Sequence, residues 1–147
     1  MSGFETLLLT GVAQLLAAAN LGTWRDSGVY TATETGIVFA TVPQSPDNII
    51  TLTAYGVSDD PTLSDSVMGV QVRTRRAGQD PRPVMDLDGA IFDRLHGMPA
   101  TTLTGGVRVV SCFRRVGPAV MGQDANNRWG LASTYYVTVW RPSANRS

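Results

Sequence analysis

Between Ile49 and Arg76 the chain alternates apolar and polar residues twice over, and this constrains its fold more than any other feature. Ile50, Leu52 and Ala54 fall on one side of an extended backbone, with Thr51, Thr53 and Tyr55 on the other. A turn-rich acidic stretch follows, holding Asp59, Asp60, Pro61 and Asp65. Then Met68, Val70 and Val72 oppose Gln71, Arg73 and Arg75. A period of two sustained over this length specifies β-strands, here 49–57 and 67–76. Strands this close in sequence pair most simply as an antiparallel couple. Such a couple has one apolar face that something must cover.

Two segments with helical periodicity can supply the cover. Phe4, Leu7, Leu8, Leu15, Leu16 and Ala19 form a stripe predicting a helix over 3–20. Ser2 and Glu5 form a capping box before it, and Gly22 is a stop signal after it. Asp80 followed by Pro81 opens a second helix over 83–96. Its buried stripe is Val84, Leu87, Ile91 and Leu95, and Gly97 sits where a left-handed residue ends a helix. Two further strands are predicted over 107–116 and 131–140. Residues 23–48 are rich in Thr, Ser, Gly and Pro around one short apolar run, Ile37 to Ala40, and read as an extended arm or hairpin excursion. The expectation is a single α+β domain over 1–147. It has a mainly antiparallel sheet of about four long strands, two helices on one face, and the arm.

The residues hold little chemistry. His96 is the only histidine and lies in the last turn of the second helix, where the helix dipole accounts for it. Cys112 is alone, so no intrachain disulfide can form, and it reads as a small core residue. No His/Cys cluster has zinc spacing, no Ser sits in a nucleophile elbow, and no Gly-rich phosphate loop follows a strand. Asp59, Asp60 and Asp65 lack the alternating ligands of a calcium loop. Asp86 and Asp88 are placed on the polar side of the second helix, near its N-terminal half. These absences predict a non-enzymatic protein without cofactor or metal.

Charge argues for protein partners. Charged residues are 16% of the chain, below the roughly 25% of an average soluble domain, and the net charge is zero. Interface cores are depleted in charge, and a neutral chain has no electrostatic footprint for nucleic acid or an acidic membrane. All twelve basic residues are Arg. Genome base composition explains that, as does selection for forked, easily desolvated cations at subunit contacts. Arg73, Arg75 and Arg76 form the densest basic cluster, with Arg82 nearby, and Arg114 and Arg115 raise the same question. No aromatic residue interleaves with the cluster as a stacking platform requires. Arg73, Arg75 and Arg76 are therefore candidates for inter-subunit ion pairs, with Asp59, Asp60 and Asp65 of a neighbour as counterparts. The N-terminus does not read as a secretion signal, since Glu5 sits early and Gln14 interrupts the apolar stretch. No run approaches the ~20 apolar residues of a membrane span.

Three stretches resemble a known group. They are Val29-Tyr30-Thr31 followed by Val42 to Asp47; Met68 to Gly78, reading MGVQVRTRRAG; and Asp80-Pro81-Arg82 running through Asp86-Leu87-Asp88 to Leu95-His96-Gly97. In order and spacing they resemble the tail-terminator or minor capsid proteins of long-tailed, siphovirus-type bacteriophages, in particular actinophages. The resemblance implies a curved sheet with two helices on one side and an extended arm. It also implies a homo-oligomeric, hexameric ring on the last ring of the tail tube, where the tail tube protein and head-side connector proteins are partners. Genomic DNA would pass the lumen without sequence-specific binding. The expected location is the tail or neck of the virion, and the host cytoplasm during assembly. Two alternatives stay open: a head-side adaptor or connector ring subunit, and a small nucleic-acid-binding module using the Arg cluster.

Overall fold

A computed structural model describes residues 3–146. The chain runs α1 (Phe4–Ala18), β1 (Thr23–Trp24), β2 (Thr35–Phe39), β3 (Asn48–Asp59), β4 (Asp65–Arg76), α2 (Arg82–Leu95), β5 (Thr101–Thr102), β6 (Arg108–Gln123) and β7 (Trp129–Trp140). The strands form one sheet in the order β1-β2-β3-β4-β7-β6-β5. The fold is α+β, but the sheet has seven strands and is mixed, which corrects the expectation of about four antiparallel strands. β1 with β2, and β2 with β3, pair in parallel. β3–β4, β4–β7, β7–β6 and β6–β5 are antiparallel.

Both helices lie on one face of the sheet, as expected. Leu8, Val12 and Leu16 of α1 and Leu87, Ile91 and Leu95 of α2 share one buried cluster with Ile50, Leu52, Met68, Val70, Val72, Tyr135 and Val137. Register explains the cluster. Leu52 lies opposite Val72, Met68 opposite Val137 and Val70 opposite Tyr135, so the apolar residues of three strands share a face. Ser2, expected as the cap of α1, lies outside the described residues; Gly3 stands at the N-cap. At the other end Asn20 takes the left-handed conformation at φ 62° rather than Gly22. Asn20 N donates to Ala17 O at 3.0 Å and Leu21 N to Leu16 O at 3.1 Å, closing the helix in a Schellman arrangement. Pro81 rather than Asp80 stands at the N-cap of α2; Asp80, one residue before it, accepts from Arg82 N at 3.0 Å, and Gly97 is left-handed at φ 74°.

Residues 23–48, expected as an extended arm, are folded onto the sheet edge. Ile37 is fully buried in the core, and Trp24 stacks on Phe39 with ring centroids 4.7 Å apart. Tyr30 Oη donates to Ile37 O at 2.6 Å, and Arg25 grips Glu34 through two hydrogen bonds of 2.6 and 2.7 Å. β2 and β3 run parallel, so residues 40–47 must return the length of β2. They do so as a strap across the sheet face opposite the helices. Thr51 Oγ1 donates to Thr41 O at 2.8 Å from that face.

Candidate interaction surface

The residues singled out for chemistry are structural in this fold. His96 caps α2, its ring stacks on Phe92 at 4.5 Å, and its Nδ1 accepts from Arg114 N at 3.0 Å. Cys112 is buried, and burial pushes its thiol up to about 12, which leaves it unreactive near neutral pH. Among the described residues no three His, Cys, Asp or Glu side chains gather where they could hold a metal ion, and no helix is long and apolar enough to cross a membrane. Asp86 is exposed, but Asp88 is not on a solvated face. Asp88 is buried, accepts from Ser133 Oγ at 2.8 Å and lies 3.7 Å from Arg114. Arg114 in turn lies over the Phe92 ring at 4.2 Å. The helical period predicted Asp88 to be polar-facing; it instead fastens α2 to β7.

The basic cluster separates into three environments. On β4, residues 65, 67, 69, 71, 73 and 75 share the face opposite the helices, whereas Arg76 shares the helix side with Met68, Val70 and Val72. Arg76 is half-buried, and its Nε is buried without a hydrogen-bond partner among the described residues. Burial pushes its guanidinium below the ordinary value.

Arg75 is buried and holds the strap. Its Nε donates to Asp47 O at 2.9 Å, and its Nη2 donates to Pro43 O and Pro46 O, each at 2.7 Å. Arg128, which nothing in the local sequence flagged, completes the clamp. It donates to Gln44 O at 2.6 Å, to Asp47 at 3.2 Å and to Asp124 at 2.8 Å. Burial first, and then the neighbouring Arg128 charge, push the Arg75 guanidinium down. The opposite strand positions, Gly130 and Gly122, carry no side chain, which leaves room for the clamp.

Arg73 is different. It is half-buried on the same strand face, and its side chain makes no hydrogen bond or ion pair among the described residues. It lines a cup of about 190 Å³ with Arg75, Arg128, Val42, Ile49 and Met121. The acidic candidates lie at the opposite end of β3 and β4. Asp59 accepts from Ser66 Oγ at 2.6 Å, and Asp60 accepts from Thr62 N at 2.8 Å. Asp65 is exposed. The structure thus brings Arg73, Arg75 and Arg128 together and leaves Asp59, Asp60 and Asp65 remote from them within one chain.

The rest of this sheet face is uncovered. Tyr55 lies over Gly69, where a Cβ would collide with its ring, and Phe113 meets Tyr136 edge-on at 5.9 Å. Tyr55, Phe113 and Trp140 are all substantially exposed. Beyond Cys112, β6 and β7 continue as a long hairpin whose Val116, Val120 and Met121 are 58%, 67% and 54% exposed. Four register shifts and Pro118 break the β6 ladder, which blunts main-chain pairing along that edge while leaving the apolar side chains open.

A family model described as bacteriophage tail terminator protein matches residues 15–139. No curated protein matches the chain. Among solved structures, a chain from the virion of native gene transfer agent (GTA) particle has a similar fold, with a TM-score of 0.63 and 20% identity. The match covers 94% of this chain and 98% of that one. With a model match over most of the chain, from the end of α1 to the end of the sheet, this chain belongs to the bacteriophage tail terminator family and is a structural protein of the phage virion, located at the tail and neck.

Proposed function

We propose that this chain forms a homo-oligomeric ring, hexameric by the resemblance, at the head-proximal end of the tail tube. There it ends tube polymerisation and joins tail to head, with no catalytic step or cofactor. The tail tube protein binds one side and a head-side connector protein the other. DNA passes the lumen without sequence-specific contact. The observation that carries the proposal, beyond family, is the uncovered apolar surface of the β6–β7 hairpin and the adjoining sheet face. Three large apolar side chains on one hairpin are each more than half exposed. Val120 faces the α2 side and Met121 the cup side, so the hairpin exposes apolar surface on both faces, and exposed apolar surface of this kind marks interaction sites. A terminator needs such surfaces without presenting a copy of the tube end on its far side, because a repeated heterologous contact would extend the filament.

The test is electron microscopy of particles made without this gene. Filled heads beside overlong, unjoined tails are expected. Unjoined tails of normal length would instead assign the chain to a head-side adaptor layer. A steeply salt-dependent DNA affinity in the purified protein would support the nucleic-acid module.

A further inference from the structure

Arg73 is a cation without a counter-ion among the described residues, set in a cup whose other guanidinium groups are engaged. Arg75 and Arg128 point their donors at the strap and at Asp47 and Asp124. The walls are apolar at Val42, Ile49 and Met121. At about 190 Å³ the cup has room for an aliphatic side chain beside a carboxylate. A concave, partly apolar cup with one unpaired cation suits an acidic and apolar protein segment. A phosphate backbone instead calls for an open track of cations with stacking aromatics.

The chain carries a segment of that chemistry at its other pole. In the β3–β4 loop, Leu63 is 58% exposed between Asp60 and Asp65. The loop backbone is already fixed, since Arg146 donates to Leu63 O and to Asp65 O. Its side chains are therefore presented outward on a preset frame, which lowers the ordering cost of docking. Eight residues separate Asp65 from Arg73 on β4, about 27 Å at ~3.4 Å per residue, so the loop cannot reach its own cup.

We propose that the cup around Arg73 receives the Asp60–Asp65 loop of a second copy of this chain. Leu63 enters between Val42 and Met121, and Asp60 and Asp65 bracket the Arg73 guanidinium. The contact is head-to-tail, because cup and loop lie at opposite ends of the long strands. Repeated around a closing rotation it generates a ring. The inference rests on the ring reading above and names its inter-subunit contact.

The test uses particles carrying Leu63→Cys together with Val42→Cys, both exposed positions, grown under reducing conditions and treated with a short bis-maleimide. Cys112 is buried and does not compete. A ladder of crosslinked multimers is expected from the double variant, and monomers alone from either single variant. In parallel, Arg73→Glu is expected to weaken self-association roughly thirtyfold or more. Adding Asp60→Arg and Asp65→Arg to Arg73→Glu is expected to restore it. Assembled double-cysteine particles without a ladder would overturn the proposal. So would Arg73→Glu assembling like the wild type, including the case where it loses DNA affinity instead. A ladder in particles whose gene deletion leaves joined tails of normal length would uphold the contact and overturn the terminator role alone.

Discussion

Replacing Arg75 by Ala should unfasten the strap without disturbing the sheet beneath it. One guanidinium serves three main-chain oxygens, at 2.7, 2.7 and 2.9 Å. A hydrogen bond to a charged group nets ~1.5–3 kcal/mol, and a deprived buried acceptor costs about 1–3 kcal/mol. The three bonds share one group and do not add fully. Removal also relieves repulsion from Arg128. The expected loss is therefore about 3–5 kcal/mol, a large share of the ~5–15 kcal/mol that holds a domain together. Urea unfolding at neutral pH measures the loss, and hydrogen exchange at residues 40–47 locates it. Arg75→Lys should recover at most about half, because one ammonium on a flexible stem cannot fork to three carbonyls. Arg73→Ala, two residues away on the same face, should stay within ~1 kcal/mol of wild type. If Arg75→Ala also stayed within ~1 kcal/mol with the strap equally protected, the carbonyl clamp would not be what holds residues 40–47.

Ile37→Ala should cost about 2–5 kcal/mol in urea unfolding, since Ile37 is fully buried; a loss below ~1 kcal/mol would detach β2 from the core. Asp88→Ala should cost about 2–4 kcal/mol by stranding Ser133 and Arg114 beneath α2, while Asp88→Asn keeps an acceptor for Ser133 and should cost less. The Glu34 carboxyl is held at about 2 rather than 4.5, first by its hydrogen bonds from Arg25 and then by Thr31 N. A depressed carboxylate stabilises the fold above its unfolded value and loses that contribution as pH falls. The stability gap between wild type and Glu34→Gln should therefore narrow from pH 5 towards pH 2; a gap that does not change would exclude this linkage.

The long elements were legible because their periodicities run over ten or more residues with a covering partner. The two helices and the four long strands lie where period 3.6 and period 2 place them. What escaped is short or non-local. β1 and β5 have two residues each, too few to show any period. β2 was visible as an apolar run, but its parallel pairing depends on a return strap that arginines far along the chain hold down. β6 runs to Gln123 rather than ending near 116, because register shifts around Gly117 and Pro118 let the strand continue past them. Gly117, at φ 103°, adopts a backbone conformation that few other residues tolerate, and a Cβ there would press on Ala132 O. Arg128 carried no signal because its partners Gln44 and Asp47 lie more than eighty residues away.

Arg73 and Arg75 show where strand alternation stops being informative. They share a strand, a face and a residue type, and the alternating pattern treats them alike. Alternation gives the side of the sheet; it does not say what lies on that side. Over Arg75 lies the strap, whose backbone carbonyls have no sheet or helix partner and accept a buried guanidinium instead. Over Arg73 the strap has passed, and the cup stays open. The same cation is thus a structural clamp at one position and an unpaired charge two residues earlier. Arg76, one position further on, turns to the helix side and is desolvated there. Three neighbouring arginines reach three environments because the sheet has two faces and the strap covers only one end of one of them. The assembly contact proposed for this cluster is therefore assigned to Arg73, the member that the chain's own fold does not use.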